Sequence, residues 1–137
     1  MLTVEWKGGM AFEANPPSGR RFMMDAIPEE GEAGLGPSPV ETLIGALAGC
    51  SAMDVVLILG KKKQTITDYR IEVEWDRGPT GVFPRPITAI RVRHLVKGEN
   101  LDPDALARAV ELSDEKYCTV ATTLRMGTQI STSWEIV

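Results

Sequence analysis

Residues 38–60 read SPVETLIGALAGCSAMDVVLILG, and this stretch decides the fold. Ser38 suits a helix N-cap, Pro39 the first helical position and Glu41 the third, which is the S-x-x-E capping box with Pro at N1. The pattern predicts a helix to about Leu59, with Gly60 as its C-cap and Lys61–Lys63 as a solvated end. At 1.5 Å per residue the rod is roughly 30 Å long. It is apolar nearly all round: Val40, Leu43, Ile44, Leu47, Met53, Val55, Val56, Leu57, Ile58 and Leu59. Such a helix must be enclosed on all sides. A chain of 137 residues has difficulty doing that alone, so a homodimer with this helix at its centre is expected. Asp54 would cost several kcal/mol in hydrocarbon, which favours a soluble core helix over a membrane span.

Upstream of the helix the chain alternates with period two, as strands do. Leu2, Val4 and Trp6 face one way and Thr3, Glu5 and Lys7 the other. Gly8–Gly9 signals a hairpin turn into a strand holding Phe12 and Ala14. Pro16–Gly19 turns again, Arg21–Ala26 forms a third strand, and Pro28–Pro37 is a loop. Downstream, Tyr69–Trp75 and Ala89–Lys97 are strands around the loop Gly78–Pro86, with Ile90, Val92, His94 and Val96 sharing a face. Asp102 caps a helix with Pro103 at N1 running to about Tyr117. Thr119–Met126 is a short helix ended by Gly127, and Thr128–Val137 a closing strand. Antiparallel runs of strands interrupted by helices, with no βαβ units, make the class α+β. The length predicts one domain, residues 1–137.

Net charge is −4, so no basic field exists to hold a polyanion and nucleic-acid binding is not expected. Met1–Met10 has no basic start followed by an apolar run, and a cytoplasmic protein is expected. Two cysteines, Cys50 and Cys118, are too few for a disulfide scaffold. No CxxC motif or Cys/His cluster points to zinc, and neither metal nor cofactor is expected. His94 is the single histidine.

Cys50 sits mid-helix among Ala48, Gly49 and Ser51. A small buried hydrophobe is one reading. A reactive thiol, approached closely across Gly49, is the other. Cys118 lies where one helix ends and the next begins, and the partial positive charge of a helix N-terminus favours a thiolate there. Two such cysteines fit an attacking and a resolving thiol. Asp54, four residues after Cys50, shares its helix face. Ionised, it would hold the thiol protonated, so a structural role, such as pairing with a basic side chain, is expected. Ser51 is either a local hydrogen-bonding group or core, and His94 reads as a satisfied core histidine. A Cys50–His94 thiol hydrolase would require those two side chains to adjoin.

Gly36-Pro37-Ser38-Pro39-Val40-Glu41-Thr42-Leu43-Ile44-Gly45-Ala46-Leu47-Ala48-Gly49-Cys50-Ser51-Ala52-Met53-Asp54-Val55-Val56 resembles the first-cysteine helix of the osmotically inducible protein C (OsmC)/organic hydroperoxide resistance (Ohr) family. Leu112-Ser113-Asp114-Glu115-Lys116-Tyr117-Cys118 is similar to its second-cysteine motif. The strand order follows the family over nearly the whole chain, most similarly to its YhfA-like branch. The resemblance implies an intertwined homodimer with long helices between two antiparallel sheets, and a thiol peroxidase. Cys50 would attack the distal oxygen of an organic hydroperoxide, and the resulting sulfenic acid would condense with Cys118. A lipoyl or thioredoxin-like dithiol would reduce that disulfide.

A free thiol titrates near 8.5, so the chemistry needs a cation beside Cys50. The family pairs an arginine from the N-terminal region with a glutamate near the first cysteine. Arg20 or Arg21 matches the arginine by position; an exposed loop arginine is the competing reading. The family glutamate directly follows the helix-starting Pro, whereas here Val40 stands there and Glu41 comes one later, about 100° around the helix. An apolar pocket for the peroxide would draw on Leu43, Leu47, Met53 and Phe22 or Met24. The alternative function is a non-catalytic or small-ligand-binding homodimer of the same fold, with structural cysteines.

Overall fold

A computed structural model describes residues 1–26 and 34–127. They form two compact units, Met1–Ala46 and Leu47 onward, whose boundary falls within the first helix. The expected closing strand over 128–137 and most of the loop expected over 28–37 lie outside the described residues.

In the first unit, β1 (Thr3–Trp6), β2 (Phe12–Asn15) and β3 (Phe22–Met24) form an antiparallel meander in sequence order. Trp6 pairs with Phe12 across the Gly8–Gly9 turn. The Trp6 indole Nε1–H donates to the Gly9 carbonyl at 3.0 Å. Lys7 ties the turn by pairing with Glu5 and Glu13, both at 3.0 Å. Gly36 is required beyond β3: a Cβ there would meet the Met23 carbonyl oxygen at 2.3 Å. That close approach lets the Asp25 amide donate to the Pro37 carbonyl at 3.1 Å and leads the chain to the helix start.

Helix α1 spans Pro39–Lys61. Both bonds of the capping box form: the Glu41 amide donates to Ser38 Oγ at 3.2 Å and the Ser38 amide to Glu41 Oε2 at 2.7 Å. A cap of this kind contributes about 1 kcal/mol. The other end differs from expectation. Gly60 remains helical, and the left-handed residue is Lys63, at φ 57°. Its amide donates to Gly60 O and that of Gln64 to Leu59 O, each at 3.0 Å, which is a Schellman closure made without glycine.

The second unit holds the rest of α1, a long hairpin of β4 (Thr65–Arg77) and β5 (Ile87–Glu99), then α2 (Pro103–Leu112) and α3 (Thr119–Met126). The strands run two to four residues further at each end than the alternation suggested, because the pairing Thr65↔Glu99 to Arg77↔Ile87 continues past the apolar positions. Asp102 caps α2 through its carboxylate on the Asp104 amide at 3.0 Å. The core is small and dense. Val55 and Leu59 of α1 are fully buried against Ala105 and Ala109 of α2. Two alanines one turn apart let the helices approach closely. By length and composition α1 could cross a membrane, yet this face is committed to α2. On its other face, among the described residues, Met53 is 75% and Leu57 58% exposed.

Candidate functional site

Between α2 and α3 the chain makes one π turn, Ser113–Tyr117, in which the Cys118 amide donates to Ser113 O at 2.8 Å. Cys118 then leaves helical geometry (φ −69°, ψ 98°) and becomes the N-cap of α3, its sulfur accepting the Ala121 amide at 3.4 Å. This placement turns Cys118 toward α1. Its Sγ, the Cys50 Sγ and an Asp54 carboxylate oxygen all lie within 4.8 Å of one another. Cys118 is 1% exposed, and Cys50 is half-buried. Both are free thiols.

The thiol at the helix start does not behave as expected. Burial pushes the Cys118 thiol up, and neighbouring Cys50 and Asp54 add to that; the Ala121 amide opposes them and loses. Asp54 has no basic partner among the described residues. Its Oδ2 instead accepts the hydroxyl proton of the fully buried Ser113 at 3.1 Å. No atom of the described residues lies within 4 Å of where a Gly49 Cβ would stand.

From Ser113 a hydrogen-bonded chain runs across the unit. Ser113 Oγ is 3.1 Å from Ser51 Oγ, Ser51 Oγ 3.4 Å from His94 Nε2, and His94 Nδ1 2.5 Å from the Tyr69 hydroxyl. A carboxylate only accepts, so the proton order follows from Asp54: Ser113 donates to it, Ser51 to Ser113, His94 Nε2–H to Ser51 and Tyr69 to Nδ1. Burial pushes the Tyr69 phenol up to about 12, which keeps it a donor. Thus Ser51 and His94 are joined, and His94 bonds to Ser51 and Tyr69 rather than to Cys50. The same chain satisfies His94 as the alternation on β5 implied.

Burial holds His94 below its ordinary 6.5, partly offset by the Asp114 carboxylate. A depressed imidazole stabilises the fold above 6.5, and that contribution is lost as pH falls through its folded value. The Ser38 amide bond holds Glu41 below its ordinary 4.5, so its contribution is lost at lower pH. Denaturant midpoints should therefore decline between about pH 6.5 and 4.5, and His94→Gln should flatten that interval; an unchanged slope would exclude His94 as its source.

A cleft of about 700 Å³ adjoins this chain, walled by Leu47, Ser51, Ile90, His94, Cys118 and Arg125. Met53 does not contribute, being turned outward. Arg125 pairs with Asp114 at 2.6 Å and is the cationic group of the cleft; no motif singled it out, because its significance depends on α3 folding back beside the π turn. Of the other expected site residues, Arg20 and Arg21 are exposed on the turn before β3, with the Arg20 amide donating to Ser18 Oγ at 3.4 Å. Glu41 is engaged in the helix cap. The geometry unites Cys50 and Cys118; the first-unit residues are placed within their own unit.

The sequence family of OsmC-like proteins matches residues 31–133. Protein YhfA of Escherichia coli is 39% identical over 135 residues, covering 98% of this chain and 96% of its own. A solved structure from Aquifex aeolicus superposes with TM-score 0.75 at 28% identity, over 98% of this chain and 93% of that one. At the level of fold alone, an organic hydroperoxide resistance protein from Legionella pneumophila superposes with TM-score 0.65 at 17% identity, over 92% and 90%.

Proposed function

Because this chain belongs to the OsmC-like family, we propose that it is a thiol peroxidase reducing organic hydroperoxides through Cys50 and Cys118. The observation that carries this reading is the pair of free thiols within 4.8 Å, supplied by two different helices. In the first step the Cys50 thiolate attacks the distal peroxide oxygen and the O–O bond breaks, giving a sulfenic acid and, after protonation, an alcohol. In the second, the Cys118 thiol displaces water from that sulfenic acid and a disulfide forms. The sulfurs must close to about 2.05 Å, a movement of under about 3 Å. A cytoplasmic dithiol of lipoyl or thioredoxin type returns both thiols.

The attacking thiolate and the leaving alkoxide both call for a cation. Arg20 or Arg21 fills that role in this proposal, with Glu41 orienting it through the carboxylate oxygen that Ser38 leaves free. Arg20→Met with Arg21→Met should lower peroxide consumption by at least roughly tenfold, about 1.4 kcal/mol of barrier, with thermal stability retained. Unchanged turnover would transfer the role to another group.

The assembly proposed is a homodimer that covers the outer face of α1. Met53, Val56 and Leu57 form an exposed apolar strip of the sort that marks interaction surfaces. Sedimentation at micromolar concentration should show a dimer, and a folded monomer would remove the idea. The second reading, a small-ligand-binding homodimer with structural cysteines, is favoured by the cleft of about 700 Å³, large enough for a metabolite-sized guest. Consumption of cumene hydroperoxide with a dithiol separates the two readings.

A further inference from the structure

A carboxylate is an odd neighbour for a thiol that must ionise, and among the described residues no basic side chain pairs with it. Cys50 and Asp54 project from one face of α1, and Cys118 meets them from the start of α3, so two thiols and a carboxylate converge from two elements. The surroundings are arranged as a supporting shell. Buried Ser113 holds Asp54 Oδ2 at 3.1 Å and leaves Oδ1 free. The Ala121 amide holds the Cys118 sulfur at 3.4 Å. Partners of this kind fix the direction of metal ligands.

We propose that reduced Cys50, Cys118 and Asp54 form a three-ligand site for a zinc-like divalent cation. Two sulfurs and one carboxylate oxygen are a donor set suited to zinc, and a tetrahedral ion with three protein ligands keeps its fourth position for water. Zinc–sulfur bonds of about 2.3 Å place two sulfurs about 3.8 Å apart, so atoms already within 4.8 Å need contract by only about 1 Å. On binding, each thiol releases its proton to solvent and the cation accepts both thiolates. The carboxylate that disfavours a bare thiolate pair then becomes part of the charge that the cation neutralises. Spacing rules miss the site because Cys118 is brought in by the π turn and the third donor is an Asp, outside the Cys/His patterns. Metal and disulfide exclude each other, since a disulfide offers no thiolate.

The test is metal binding with no peroxide present, so it stands whether or not the peroxidase reading survives. Untagged, fully reduced protein is titrated with cobalt chloride under argon, then with zinc chloride. One cobalt per chain should bind, with a thiolate-to-cobalt charge-transfer band and the intense visible bands of a tetrahedral ion, and zinc should displace it. Disulfide-form protein should show neither. Cys118→Ser should lose the charge-transfer intensity of one thiolate. Asp54→Asn, checked for folding by circular dichroism, should weaken zinc binding by more than the roughly 10–100-fold typical of a supporting partner. Absence of stoichiometric binding by the reduced wild type, or equal affinity in folded Asp54→Asn, overturns the proposal.

Discussion

Cys50→Ser is expected to reduce turnover of tert-butyl or cumene hydroperoxide to the uncatalysed background, because a serine hydroxyl forms no sulfenic acid. Cys118→Ser should behave differently. It should consume one equivalent of peroxide, leave a Cys50 sulfenic acid that dimedone traps, and then over-oxidise to the sulfinic state. The asymmetry follows from the proposed roles, and it has a structural rival. Cys118 forms part of the cleft wall, whereas Cys50 does not. If dimedone marks Cys118 in the Cys50→Ser protein, and turnover of that variant persists through the first equivalent, the attacking and resolving roles are exchanged. If the wild type consumes no organic peroxide with any dithiol, the ligand-binding reading replaces the peroxidase.

The largest effect on stability is expected at Leu59→Ala, at roughly 2–5 kcal/mol. Leu59 has no exposed surface, and it packs with Val55 against Ala105 and Ala109. Ile66, Leu101 and Leu106 also pack on this cluster, and how far they relax into the vacancy sets where in that range the loss falls. Against a typical domain stability of about 5–15 kcal/mol, such a loss is a large fraction. The urea midpoint should fall with little change in slope. Met53→Ala is the informative comparison. Met53 is 75% exposed in the single chain, so it should cost under about 0.5 kcal/mol as a surface position. A cost approaching that of Leu59→Ala would mean that a second subunit buries it.

Local chemistry in this chain was readable wherever it depended on neighbours in sequence. Ser38, Pro39 and Glu41 announced the start of α1, and both capping bonds form. The same is true of Asp102 before α2 and of the turn at Gly8–Gly9. The α+β class followed from period alone. What failed depended on tertiary context. Glycine preference pointed to Gly60 as the helix stop, but the chain turns at Lys63 so that β4 can begin at Thr65. A helix N-terminus favours a thiolate in water; at Cys118 burial beside Cys50 and Asp54 outweighs it. The polar chain from Asp54 to Tyr69 was unreadable because its members come from α1, β4, β5 and the π turn, up to 62 positions apart in one bond. His94 could be assigned to an inner face, but nothing in the sequence paired it with Ser51.

The π turn makes the region before Cys118 sensitive to chain length rather than to identity. Asp114, Glu115, Lys116 and Tyr117 are all exposed, so exchanging them leaves the buried contacts of Ser113 and Cys118 in place. Removing any one of them would restore ordinary helical spacing, about 100° and 1.5 Å per residue, and rotate the sulfur away from Cys50. The segment works as a spacer of fixed count: apart from Asp114, which holds Arg125 at 2.6 Å, its letters are free to drift, whereas an insertion or deletion of a single codon would uncouple the two thiols without touching either.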